Sequence, residues 1–298
     1  MWTTADSRTR RAIAVKTTAP FRIDKAFDMP TVPVVLSRII QVLDDDNSTA
    51  EEMEALILHD PSLSARILKL ANSALYSFRC EVKTLSHAIP LLGLNLVKSL
   101  AIGVSIFESF VQGSKNEAVH INNLWMHSFG VGMLSQEIWK KRGTRKEAEF
   151  AFLCGLLHDL GKVVYFKKAA MHYSSLFSQE RGEMDPDISA AEREYYGIDH
   201  ASVGSMLAQS WGFPPELCSV ILKHHLTADP NAPLVAAVSL SDTTARLAGI
   251  GHDGDKRFNP QASRFQAILR LGPDEYRQLR LFAEGKRGDI LDFFRLVA

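Results

Sequence analysis

The sequence predicts an all-α protein, and three observations carry that expectation. Apolar residues recur at i, i+3 and i+4 along most of the 298-residue chain, while alternating apolar and polar runs are nearly absent. Helix-starting residues and helix-ending glycines punctuate those stripes at helical lengths. The composition, 46 % hydrophobic and 23 % charged, is globular and can bury one large helical core or two smaller ones sharing an interface.

The first helix is expected behind Pro33, whose fixed φ suits a first turn, with Val34, Val35, Ile39, Val42 and Leu43 as its stripe. Ser48-Thr49-Ala50-Glu51 has the spacing of a capping box ahead of Met53, Leu56 and Ile57. Asp60-Pro61 restarts a helix, with Asp as cap and Pro at the first helical position, followed by Leu63, Ile67, Leu68 and Leu70. Asn72-Ser73 reads as its terminator. Thr84 caps a short helix through Leu91, and Gly93 parts it from another running toward Phe110. A break is expected around Gly113 to Asn116.

Residues 117–249 read as about six further helices, parted at Gly143-Thr144, Lys168-Ala169, Gly182 to Pro186, Gly197, Gly212 to Pro214 and Asp229 to Pro233. Gly249 to Pro260 is a polar loop. Pro273-Asp274-Glu275 opens a helix with Tyr276, Leu279 and Phe282 as its stripe, and Gly285 to Gly288 is expected to part it from a last one bearing Leu291, Phe294 and Leu296. The expected organisation is a flexible tail over 1–20, a helical N-terminal half over 21–113, a site-bearing half over 114–250 and a helical extension over 251–298.

Several function classes are disfavoured. Lys+Arg and Asp+Glu number 34 each, so no broad basic field exists for nucleic acid, and only the arginines and lysine of the N-terminal tail speak for such a partner. No run of about 18 apolar residues suggests a membrane span, and the tail lacks the apolar segment of a signal peptide. Cys80, Cys154 and Cys218 are odd in number and sit in apolar surroundings, which suits buried free thiols and a cytoplasmic protein.

Chemistry concentrates in the second half. His127 lies in Leu124-Trp125-Met126-His127-Ser128-Phe129, and His158-Asp159 closes the apolar run Ala151 to Leu157 ahead of Leu160-Gly161-Lys162. His200 follows Asp199, His224-His225 ends a helix opened by Pro214-Pro215, and Asp242 interrupts a long apolar helix. A carboxylate among residues such as Val238 and Leu240 loses several kcal/mol of hydration unless a cation or strong donors meet it. A divalent ion meets that need, and neutral imidazoles are the usual transition-metal donors. Two ions about 3.5–4 Å apart can clamp a phosphate for in-line attack. Taken singly, each residue also has a packing explanation: His127 as a packed ring, His158-Asp159 and His224-His225 as helix-end residues, and His200 in a first turn. The remaining histidines read as ordinary, and Tyr195, Tyr196 and Trp211 as packing residues.

The order His127, His158-Asp159, Asp242 resembles the HD superfamily of metal-dependent phosphohydrolases. With Leu160-Gly161-Lys162, His200 and His224-His225 the set is similar to its binuclear HD-GYP branch. That resemblance implies His127, His158, Asp159, His200, His224, His225 and Asp242 as metal ligands, with Asp159 bridging and Lys162 contacting phosphate. The N-terminal half resembles the HDOD signalling modules through Met29 to Pro33, Ile57 to Leu63, Leu70 to Ala74 and Ala88 to Gly93, and the resemblance spans roughly residues 25–245. HDOD modules often lack the metal ligands and serve as non-catalytic regulators, whereas this sequence retains them. After His225 it reads Leu226-Thr227-Ala228-Asp229-Pro230, without the Gly-Tyr-Pro loop with which the HD-GYP branch handles cyclic di-GMP. A third ion, where present in that branch, uses a carboxylate at the position of Asn123. The expectation is therefore two divalent transition-metal ions (iron, manganese, zinc or nickel) and a phosphohydrolase or phosphodiesterase acting on a phosphate-containing small molecule. The alternative is a signalling adaptor in which structural metals present a surface to a partner protein.

Overall fold

The computed structural model describes residues 30–43, 48–110, 115–178, 187–226, 228–255, 259 and 261–297. The expected tail over 1–20, and Gly113-Ser114 of the expected break, lie outside the described residues. Helices account for all the regular structure among those described, with no strand.

The first bundle comprises α1 (Val34–Gln41), α2 (Ala50–Leu58), α3 (Pro61–Ala71), α4 (Leu85–Leu92) and α5 (Leu94–Phe110). Its core is the apolar stripe of each helix turned inward, including Leu36, Ile39, Met53, Ile57, Leu63 and Ile67. Pro33 sits one position ahead of its expected place, as the cap of α1. The capping box before α2 is likewise shifted by one: Thr49 and Glu52 exchange side-chain and backbone hydrogen bonds at 3.1 Å. Ser48 does not cap because its hydroxyl accepts from the buried Lys98 ammonium at 2.5 Å. Asp60 caps α3 with Pro61 at its first position, as expected. Asn72 ends α3 and spans to the next segment, donating to the Val82 carbonyl and accepting from the Val82 N–H, both at 2.8 Å. Thr84 caps α4, and Gly93 at φ 98° ends it.

The second half is assembled around α6 (Lys115–Lys140), which packs against α7 (Arg145–Leu157), α8 (Leu160–Ser178) and α12 (Pro233–Ala248). Between these lie α9 (Ile188–Tyr196), α10 (His200–Ser210) and α11 (Pro215–Lys223), with α10 resting on α8 and α11. The break expected at Lys168-Ala169 is a kink within α8 at Ala169. Contacts of α5 with α7 and α8 join the two halves.

Beyond α12 the chain differs from expectation in two places. A short helix, α13 (Ala262–Ile268), covers Phe265 against α12. The two expected C-terminal helices are one, α14 (Pro273–Val297). A Cβ at Gly285 or Gly288 would meet nothing, so both glycines lie on the open side of α14. Buried Leu279, Ala283, Ile290 and Phe294 continue one stripe past them onto α6. That packing outweighs the roughly 1 kcal/mol each interior glycine costs. Cys154 and Cys218 are buried free thiols, but Cys80 is exposed on the segment after α3. No single helix among the described residues is long and apolar enough to cross a membrane.

Candidate metal centre

Glycines at helix crossings bring the site together. At Gly161 a Cβ would overlap the His200 carbonyl oxygen and the Gly204 backbone nitrogen, so α8 and α10 touch backbone to backbone. Gly155 does the same for α7 against Gly132 of α6. All seven residues expected as ligands converge between these helices. His127, His158, His200 and His224 are fully buried, Asp159 and Asp242 are each 2 % exposed, and His225 is partly buried.

Four of the five rings are oriented by their Nδ1 atoms. His158 and His224 cap the C-termini of α7 and α11, where the last carbonyls lack helical partners. Their Nδ1 atoms lie 2.7 Å from the carbonyl oxygens of Gly155 and Ile221 respectively. The His127 Nδ1 faces the Ile250 carbonyl at 3.3 Å. At the start of α10, both the backbone N–H and the Nδ1 of His200 donate to Glu192 Oε2, at 2.8 and 2.6 Å. Tyr173 holds the other oxygen of Glu192 at 2.5 Å. A carbonyl or carboxylate can only accept, so each of these Nδ1 atoms carries a proton, and in the neutral ring the Nε2 is left to present a lone pair.

Four of the Nε2 atoms face carboxylate oxygens. His127 Nε2 is 3.0 Å from Asp242 Oδ1, and His158 Nε2 is 3.3 Å from Asp159 Oδ2. His200 and His224 Nε2 are 3.2 and 3.6 Å from Asp159 Oδ1, and His200 and His225 bring their Nε2 atoms within 3.0 Å of each other. The His200 approach is not aligned for a hydrogen bond, so Asp159 Oδ1, with His158 Nε2 and His224 Nε2, is buried without a hydrogen-bond partner. Acceptors turned on acceptors need a cation between them.

Protonation of the rings supplies it only in part. Burial opposes charge at His158 and His200, but Glu192 outweighs it at His200 and lifts it to about 9, and Asp159 and Asp242 raise His158. Burial instead pushes His224 down to about 4, and burial with neighbouring His224 and His200 holds His225 well below the usual range. The donors form two groups, each of which could hold a metal ion. One group comprises Asp159, His200, His224 and His225; the other is His127, His158 and Asp159, with Asp242 beside it. Asp159 belongs to both, offering Oδ1 to the first and Oδ2 to the second.

Three residues that sequence reasoning passed over complete the centre. Glu192 fixes His200. Arg246, one turn after Asp242 on α12, donates to Asp242 Oδ2 at 2.8 Å and to Asp253 Oδ2 at 2.7 and 3.0 Å. Asp253 lies in the loop read only as polar. Lys162 is fully buried and meets three acceptors: Asp159 Oδ2 at 2.7 Å, the Asp253 carbonyl at 2.8 Å and Asp253 Oδ2 at 3.3 Å. Beside Asp159 and Asp253 its ammonium is held in the charged form. His127, Asp242 and Asp253 also lie close enough to hold a cation, but the guanidinium of Arg246 and the ammonium of Lys162 already stand there. Among the five remaining histidines, His172 bonds Tyr196, and His120 and His252 rest on Phe177. Tyr196 is buried, and Trp211, 7 % exposed, donates to the Pro30 carbonyl, so both pack.

Comparison with known proteins fits this geometry. An uncharacterized protein of Treponema pallidum (strain Nichols) is 25 % identical over 264 residues, 88 % of this chain, and the chain spans about half of that relative's length. A solved HDOD domain protein of unknown function from Geobacter sulfurreducens is 27 % identical, with a TM-score of 0.69 covering 91 % of this chain and 93 % of its own. A candidate phosphohydrolase from Shewanella amazonensis SB2B is 26 % identical, also at 0.69, covering 90 % and 95 %. The HDOD domain profile matches residues 29–227, from the segment before α1 through the His224-His225 pair. With that span matched and the helices arranged as in its solved relatives, the chain belongs to the HDOD domain family.

Proposed function

We propose that this chain binds two divalent transition-metal ions and is a metal-dependent phosphohydrolase acting on a phosphate ester in a signalling context. The observation that carries the reading is Asp159: one buried carboxylate with an oxygen in each of two histidine groups. Ions held there would supply Lewis-acid stabilisation of the phosphoryl oxygens during attack.

The chain's own residues do the rest. Their Nδ1 partners hold His127, His158, His200 and His224 in the tautomer that presents Nε2, so each ligand is preset before binding. Buried Asp159, Asp242, Asp253 and Glu192 exceed the fixed positive charges of Lys162 and Arg246 by two, a balance that protons on the histidines or bound metal ions can meet. Lys162 could reach a phosphoryl oxygen only by giving up one of its three acceptors. We therefore assign it first to orienting Asp159.

A second reading is favoured by burial. With its ligands so nearly enclosed, the centre could tie helices together as a structural element and present a surface to a signalling protein. Turnover separates the two. Fully metallated protein, with manganese or iron, would be screened against a generic phosphodiester, cyclic mononucleotides and cyclic dinucleotides. We expect slow cleavage of the generic ester and no appreciable cyclic di-GMP turnover, because selecting a bulky dinucleotide needs shaped contacts that the segment after His225 lacks. Inactivity toward every ester would favour the adaptor.

A further inference from the structure

We propose that Asp253, on the loop after α12, is a positioning residue of the metal centre: one carboxylate that fixes both cations bonded to the ligands Asp159 and Asp242. The inference rests on the dinuclear reading above and concerns a residue beyond the segment matched by the family profile.

The geometry forms a chain of charges. Asp159 Oδ2 accepts from Lys162, and Asp242 Oδ2 accepts from Arg246. Those bonds set the rotation of each carboxylate, directing Asp159 Oδ1 toward His200 and His224, and Asp242 Oδ1 toward His127. Both cations then converge on one atom, Asp253 Oδ2, and Lys162 also takes the Asp253 backbone carbonyl. Asp253 is fully buried, so this charge is not screened by water.

The loop is tied to the same helix as the first ligand. Gly251, at φ +62°, lies so close that a Cβ there would overlap the Asn123 carbonyl oxygen and the His127 nitrogen. The His252 N–H donates to the Asn123 carbonyl at 3.1 Å, and the Ile250 carbonyl faces His127 Nδ1. One short segment therefore orients His127 through its backbone and Asp159 and Asp242 through Asp253. These three residues serve the group of His127, His158, Asp159 and Asp242. The group of His200, His224 and His225 has an independent anchor in Glu192, so loss of Asp253 should weaken the ion held by His127 and His158 more than that group's ion.

The test is titration of metal-free protein with cobalt(II), in competition with a chelator, read by visible absorption of the bound ion. Wild type is expected to take up two ions. Asp253→Asn keeps the side-chain shape but removes the charge that holds Lys162 and Arg246. It should fold with unchanged helicity, bind the weaker ion about tenfold or more less tightly, and alter that ion's spectrum. A purely structural role would lower stability and leave the spectrum of bound cobalt as in wild type. The double variant Asp253→Asn/Arg246→Gln removes one charge of each sign and covers the case in which the single variant does not fold. It too should show a weakened, spectrally altered site. Wild-type affinities and spectra in either folded variant would overturn the proposal, as would failure of both to fold. Absence of cobalt binding by wild type would refute the dinuclear reading itself.

Discussion

Asp159 carries two assignments at once, because its two oxygens face different histidine groups. Asp159→Ala should therefore abolish binding of both ions, whereas His127→Ala, which removes one nitrogen from one group, should leave the other ion bound. Metal content of the two purified variants checks this; two ions in Asp159→Ala would remove it from the bridge. The seven converging residues were legible in the sequence because each pairs a polar residue with an apolar helix or a helix end, and their order resembles a known constellation. The supporting charges were less so. Arg246 stands four residues after Asp242, a helical pairing that was open to reading. Glu192 and Asp253 had no such signal: the first reaches His200 across a turn, and the second reaches Lys162 from 91 residues away along the chain. Lys162 shows the same gap, since no spacing rule reveals that a lysine one turn past a ligand is already saturated.

Between elements, the decisive contacts are made by residues without side chains. Gly161→Ala would drive a methyl into the backbone of His200, which cannot swing aside as a side chain could. α8 and α10 must then separate, at a cost of roughly 1–3 kcal/mol for an overpacked core, and His200 would move from Asp159. The expected outcome is a melting temperature lowered by several degrees together with weaker binding of the ion held by His200, His224 and His225. Thermal unfolding and metal titration of the variant measure both, and wild-type values for each would contradict the crossing argument. Most helix starts were legible because caps act locally: Asp60, Thr84 and Asp199 all accept from backbone N–H groups of the turns they open. The misreadings came from long-range packing. Lys98 takes Ser48 out of the α2 cap, and burial of Ile290 and Phe294 carries α14 through two glycines that composition alone read as a break.

Across the whole molecule, the all-α class was legible from periodicity, while the way the halves join was not, because contacts of α5 with α7 and α8 and of α14 with α3 link segments far apart in sequence. The converging residues come from α6, the α7–α8 junction, α10, the end of α11 and α12, so on the proposed reading two bound ions would tie most of the second half together. On that reading metal binding and folding are coupled, and stripping the ions with a chelator should lower the unfolding temperature by an amount restored on reloading. The most direct test of the central claim is elemental analysis of the chain purified without chelators and then equilibrated with iron, manganese, zinc or nickel. The account predicts close to two tightly held transition-metal ions per folded chain with at least one of these metals. A folded chain that retains none of them would contradict it.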